Sequence, residues 1–216
     1  MDADRGQLIK NLLTEINRGG VRDRDVLMAI ATVPRDAFVR TEAQHQAWEN
    51  RALPIDDGQT ISQPLIVGLM TQALNLTGNE RILEIGTGSG YQAAVLAELA
   101  REVVSIERYS SLAETARKRL ADLGVSTVRV VIGDGTKGWP EGAPYDGIIV
   151  TAAAPHLPQA LEQQLSRKPG ARIVIPIGSP DDQELMVYER TDSNLREYTL
   201  GPVRFVPLIG EQGWQE

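Results

Sequence analysis

A glycine-rich turn flanked by carboxylates is the part of this chain whose residue types and spacing best suit chemistry. In the run RILEIGTGSGYQAAVLA, Arg81 to Ala97, an apolar strand pattern meets glycines at 86, 88 and 90, and a helical pattern follows at once. Glycine there lets the backbone turn tightly and lets a ligand lie against it without meeting a Cβ atom. The GxGxG spacing alone is weak evidence. Its weight comes from context: a strand before it, a helix after it, and an acidic residue, Glu107, at the end of the next strand. A carboxylate at that tip accepts hydrogen bonds from both ribose hydroxyls of an adenosine, and the competing reading is a solvated residue that merely ends a strand.

Two details separate the adenosine cofactors. Dinucleotide sites read GxGxxG because a pyrophosphate sits on the helix N-terminus, and the third glycine of that pattern is Tyr91 here. Glu84, two residues before Gly86, would repel a pyrophosphate but attract the ammonium of a sulfonium cofactor's amino-acid tail. Otherwise Glu84 is a surface acid on a strand edge. In VRVVIGDGTKGWP, Asp134 and Gly135 follow another strand, which suits an acceptor facing the exocyclic amine of adenine and equally suits an ordinary Asp-Gly turn. These segments, residues 80 to 180, resemble the class I S-adenosylmethionine-dependent methyltransferases.

A second constellation lies upstream, in RALPIDDGQTISQP at Arg51 to Pro64. Thr60 and Ser62 are hydroxyls just ahead of a helix that begins near Pro64, where unpaired N–H groups and the positive end of the helix dipole collect. That arrangement binds a carboxylate. By residue type alone, Ser62 is more often a plain N-cap.

The elements that must carry these residues follow from periodicity. Leu8, Ile9, Leu12, Leu13 and Ile16 mark a helix over 4–18 that Gly19-Gly20 stop, and a second helix runs from near Arg22 to Pro34. The stretch from Phe38 to Trp48 has no assignable pattern, and Arg51 to Pro64 reads as an ordered loop. Leu65, Ile66, Leu69, Met70, Ala73 and Leu74 stripe the next helix. Short apolar strands at 81–85, 103–107, 128–132, 146–151 and 171–177 then alternate with helices at 90–99, 110–123 and 157–165, the signature of βαβ units. Closely spaced strands at 184–190, 195–200 and 203–208 suggest an antiparallel edge. The expected fold is α/β: a Rossmann-like, doubly wound, mostly parallel sheet with helices on both faces, an N-terminal helical extension and an antiparallel C-terminal edge. It forms one domain over 1–216, with N-terminal helices and substrate loop in 1–78, the cofactor-binding core in 79–180 and C-terminal strands in 181–216.

Bulk properties narrow the partners. With 216 residues, 42% of them hydrophobic, one such domain is the natural size. The chain has no cysteine, so it has no disulfide framework or thiolate metal site. The net charge of −7 and pI near 5.0 withhold the attraction that dominates nucleic-acid affinity. No segment approaches the ~20 apolar residues of a membrane span, and the N-terminus lacks a signal-peptide layout. A cytoplasmic protein with no nucleic-acid, membrane or metal partner is expected.

Over almost its whole length the chain resembles the protein-L-isoaspartate(D-aspartate) O-methyltransferases. The segments that carry the likeness are VPRDAFV (33–39), ALPIDDGQTISQP (52–64), LEIGTGSGYQAAVLA (83–97), GDG (133–135), TAAAP (151–155), IPIG (175–178) and FVPLIG (205–210), with GQTIS the sharpest. The resemblance implies methylation, by S-adenosyl-L-methionine, of the free side carboxylate in isoaspartyl-containing peptides and proteins, which initiates their repair. It implies that Ser62 is the active-site serine and hydrogen-bonds that carboxylate, with Thr60 beside it and Val206 offering backbone groups. It also implies that Glu84, Gly86, Gly88, Glu107 and Asp134 hold the cofactor, and Gly90 and Gly135, in the same two segments, are expected to join them. Trp48 and Asn50 replace a common tyrosine and aspartate, and Asp56-Asp57 replaces a frequent glycine-containing pair; these departures bear on peptide preference and loop mobility.

A carboxylate with a pKa near 4 is ionised at neutral pH and needs no general base. His45 and His156 are the only histidines and have no triad partner or metal-ligand spacing, so the protein's contribution is positioning. The rival readings are a class I methyltransferase for a small molecule or RNA, a nicotinamide-dependent oxidoreductase and a non-catalytic adenosine-binding module.

Overall fold

Side-chain alternation decides how the central strands are covered. In the strand Arg81–Ile85, Leu83 and Ile85 enter one apolar cluster while Ile82 enters another on the opposite face. Both faces must therefore be packed, as parallel strands require. The computed structural model describes residues 2–215. Helices α1 (Asp2–Arg18) and α2 (Arg24–Thr32) are followed by two 3₁₀ turns, Arg35–Phe38 and Thr41–Gln46, and a short hairpin of β1 (Leu53–Pro54) and β2 (Thr60–Ile61). Helix α3 (Pro64–Leu74) leads into the alternating core: β3 (Arg81–Ile85), α4 (Tyr91–Ala97), β4 (Glu102–Glu107), α5 (Ser110–Asp122), β5 (Val128–Ile132), β6 (Gly147–Val150), α6 (Gln159–Gln164) and β7 (Arg172–Gly178). Strands β8 (Gln183–Arg190) and β9 (Leu195–Val203) complete it.

The sheet has seven strands in the order β5-β4-β3-β6-β7-β8-β9. Strands β5 through β7 are parallel, and β8 and β9 add antiparallel on the edge. The chain first winds outward through β3, β4 and β5, then returns to lay β6 on the other side of β3. That reversal opens a crevice beyond the carboxyl ends of β3 and β6, where open α/β sheets bind ligands.

The two faces are covered unequally. Residues of α1 to α5 pack one face, with Leu12, Ile30, Phe38, Val95 and Leu112 in one cluster and Met70 and Leu74 in its neighbour. The other face is covered by α6, the turns around Trp139 and the C-terminal segment, through Tyr145, Leu161, Leu165 and Leu208. Burial of each such side chain contributes about 1.5–3 kcal/mol.

Two expectations change. The unassigned stretch after Phe38 is 3₁₀ turn, and the expected loop at 51–64 contains the β1–β2 hairpin, with Leu53 opposite Ile61. Its two-residue tip has positive φ at both Asp57 (53°) and Gly58 (67°), and Gln59 N–H donates to Asp56 O at 3.1 Å. This is the type I′ geometry that Asp-Gly favours. The expected strand over 203–208 is absent. Instead β9 runs on through Gly201 and Pro202 to Val203, which an edge strand tolerates, and the chain then leaves the sheet.

Candidate active site

The crevice at the carboxyl ends of β3, β4 and β6 holds a cavity of about 800 Å³. Its floor is the glycine turn from Gly86 to Ser89, with Glu107, Gly135 and Thr151 around it. Thr60 to Gln63 form one wall and Pro202 to Ile209 the other. Seven of the residues picked out from sequence thus meet in one space: Thr60, Ser62, Gly86, Gly88, Glu107, Gly135 and Val206. The other three, Glu84, Gly90 and Asp134, lie outside its lining.

The floor is fixed by backbone geometry and one carboxylate. Gly86 has φ of 94°, and a Cβ there would stand 2.3 Å from Thr151 Oγ1. That hydroxyl donates to the carbonyls of Gly86 (2.7 Å) and Ile85 (3.0 Å), so no other residue fits the position. Glu107 at the tip of β4 is 5% exposed. Its Oε2 accepts from Gly88 N–H at 2.8 Å and its Oε1 from Tyr109 N–H at 3.0 Å, which ties the strand end to the turn. It is not the solvated end of a strand. A carboxylate oxygen has about two acceptor sites, so among the described residues both keep one in reserve.

Glu84 does not line the cavity. Strand alternation turns it to the helix-covered side beside Ser105, its neighbour on β4, where it is fully buried. Burial pushes its carboxyl up to about 8; the Ser105 hydroxyl, which donates to Oε2, opposes this and the nearby Glu107 charge adds to it. Ser105 in turn shares a hydrogen bond of 2.5 Å with the Thr87 hydroxyl, which links Glu84 to the turn. Gly90 packs the start of α4 against α5, its would-be Cβ 3.2 Å from Ala116 Cβ.

Asp134 takes the local-turn reading. Its Oδ1 accepts from Thr136 N–H (2.9 Å) and Thr136 Oγ1 (2.7 Å), and its Oδ2 from Glu211 N–H (2.9 Å). Burial alone would raise its carboxyl, but the bonds from Glu211 and Thr136, with Lys137 nearby, hold it below its ordinary value. These bonds tie the C-terminal segment to the core, and Oδ2, with one donor, keeps an acceptor site.

On the opposite wall, Ser62 is not the N-cap of α3. That position is Gln63, which makes no side-chain capping bond. Pro64 has no N–H, and Leu65 N–H donates to Asn50 Oδ1 at 3.0 Å. The Ile66 amide and the Ser62 hydroxyl have no partner among the described residues, and both residues line the cavity. Asn50 also donates to Glu15 at 2.8 Å, so this departure from the resembled pattern braces the start of α3. Trp48 is buried beneath Arg5. Asp56 accepts from Arg40 at 2.7 Å and Asp57 from Ser111 Oγ at 2.6 Å, which pins the hairpin to the start of α5.

The Val206 wall depends on a residue that periodicity did not mark. Buried Gln183 accepts from Phe205 N–H at 2.7 Å and donates to Phe205 O at 3.2 Å, replacing a missing β partner. Val206 O is taken by Ala153 N–H at 2.8 Å, which leaves only the Val206 amide, of its two backbone groups, unpartnered among the described residues. Replacing Gln183 with Ala orphans both Phe205 groups, and we expect a loss of about 1–3 kcal/mol in urea unfolding. An unchanged unfolding midpoint would show that other contacts hold the wall.

The sequence profile described as Protein-L-isoaspartate(D-aspartate) O-methyltransferase matches residues 5–213. A protein-L-isoaspartate O-methyltransferase of Dictyoglomus thermophilum is 52% identical over 207 residues, covering 96% of this chain and 93% of that one. A solved protein-L-isoaspartate O-methyltransferase superposes with a TM-score of 0.85 at 30% identity, covering 95% of this chain and 67% of the other. A Plasmodium falciparum structure in complex with S-adenosyl-L-homocysteine shares the fold, with a TM-score of 0.79 at 24% identity over 93% of this chain and 97% of that one.

Proposed function

The chain belongs to the protein-L-isoaspartate(D-aspartate) O-methyltransferase family, and from that premise we propose that the cavity joins a methyl donor on the glycine turn to an isoaspartyl carboxylate at Ser62. The reaction is methyl transfer from S-adenosyl-L-methionine to the free carboxylate of an L-isoaspartyl residue, the opening step in repair of a damaged protein. The donor supplies an electrophilic methyl group on a positively charged sulfur.

The chain's own residues bind and orient. Glu107 offers its two reserve acceptor sites to the ribose hydroxyls of the donor, while the turn from Gly86 to Gly88 lets the adenosyl group lie against backbone and Gly135, packed on Ile85, lines the space beside it. The Ser62 hydroxyl and the Ile66 amide, at the positive end of the α3 dipole, receive the carboxylate, and Thr60 stands beside them. The nucleophile arrives ionised, so no general base is required. Ser62 orients it and does not itself attack, because a serine nucleophile needs an adjacent base.

The observation that carries this reading is the facing of two features across one cavity: an anchored carboxylate at the turn and a hydroxyl with a free amide at a helix start. The test is base-labile methyl incorporation into paired peptides. Label is expected in the isoaspartyl peptide and not in the same peptide with normal aspartate. Equal labelling of both peptides, or transfer only to small acids or RNA, would reject the assignment.

A further inference from the structure

Arg35, in the first 3₁₀ turn, is a charged side chain with no exposure. Among the described residues no carboxylate pairs with it, and its Nε and Nη1 have no hydrogen-bond partner. Burying an unpaired charge is costly, and an apolar side chain of similar length would fill the space without that cost. What the guanidinium touches accounts for its presence. Its Nη2 donates to the carbonyl of Ser62 at 2.8 Å and to that of Arg51 at 3.3 Å. Its carbon lies 4.8 Å from the ring centroid of Tyr91. Tyr91 directly follows Gly90 at the end of the glycine turn, and Phe38 braces the ring edge-on at 5.6 Å. Ser62 and Tyr91 both line the cavity, from its substrate side and its cofactor side.

We infer that Arg35 is a positioning residue, which sets Ser62 in register with the glycine turn by bonding its carbonyl while resting on Tyr91. The inference rests on the proposed function. A planar guanidinium fork whose single Nη2 donates to both carbonyls while its flat face rests on a ring is a task that arginine performs and lysine, with no planar group, does not. The charge stays protonated and needs no titration to act. Its effect passes through Ser62, since Arg35 itself does not line the cavity.

A double-mutant cycle tests it. Arg35→Lys keeps the charge and loses the fork; Arg35→Gln keeps a neutral donor and serves if the lysine variant does not fold. In the folded variant, kcat on the isoaspartyl peptide is expected to fall about tenfold or more, with S-adenosyl-L-homocysteine affinity by calorimetry within about threefold. In a Ser62→Ala background the same substitution should cost no more than about twofold, because its route to the substrate is already gone. Equal factors in both backgrounds would overturn the inference. So would failure of both single variants to fold, which would make Arg35 a strut of the core. A wild-type protein that forms no isoaspartyl ester defeats the proposed function and takes the inference with it, whereas an active wild type with an additive cycle defeats the inference alone.

Discussion

Replacing Glu107 with Ala should weaken S-adenosyl-L-homocysteine binding by about two to three orders of magnitude in calorimetry. The substitution removes the two acceptor sites reserved for ribose, and a hydrogen bond to a charged group is worth about 1.5–3 kcal/mol. It also frees the N–H groups of Gly88 and Tyr109, so the turn loses the carboxylate that fastens it to the end of β4. Both effects act on the cofactor side. A dissociation constant within about threefold of wild type would remove Glu107 from the binding site.

Glu84→Gln should change how stability depends on pH. In the folded chain Glu84 holds its proton up to about 8, against an ordinary value of 4.5, because it is fully buried. Below 4.5 both states carry the proton and the group costs nothing. Between 4.5 and 8 the unfolded chain releases a proton that the folded chain keeps, so folding stability falls as pH rises, by about 1.4 kcal/mol per unit. The accumulated cost above pH 8 is on the order of 4–5 kcal/mol. Glutamine has the same shape and no charge to desolvate. Urea unfolding at pH 5, 6.5, 8 and 9 should show the variant gaining on wild type through this window and holding a constant lead above it. Parallel stability profiles for the two proteins would contradict a neutral buried carboxyl.

How much of this was legible in sequence depends on the range of the interaction that sets each feature. The strand, glycine turn and helix at 81–97 and the acid at 107 were legible because each is written in local pattern, and their convergence follows from adjacent parallel strands. The facing of Glu84 was also available: in a strand buried on both sides, a residue between Leu83 and Ile85 must point away from their face, into the helices. The β1–β2 hairpin escaped because its paired strands are two residues long, too short for alternation to register, although Asp57-Gly58 carried the turn signal. The segment after Val203 looked like a strand by composition. What holds it is the Gln183 side chain, 22 residues away from Phe205, and no periodicity reports such a contact. Arg35 is the same case, since its partners at 51, 62 and 91 are brought together only by the fold. Asp134 shows the converse: its local residues fitted two readings, and the bond from the Glu211 amide, 77 positions on, is a contact that neither reading contained.

Ser62 orients the incoming carboxylate in the proposed reaction, and the Ser62→Ala variant measures this most directly. Its kcat on an isoaspartyl peptide and its affinity for S-adenosyl-L-homocysteine should part company. A fall of about 10- to 100-fold in kcat, with affinity unchanged within about threefold, is the predicted result, since one hydrogen bond to an anion is lost and the cofactor floor is untouched. Full turnover in the variant, or an equal loss of turnover and cofactor affinity, would contradict it.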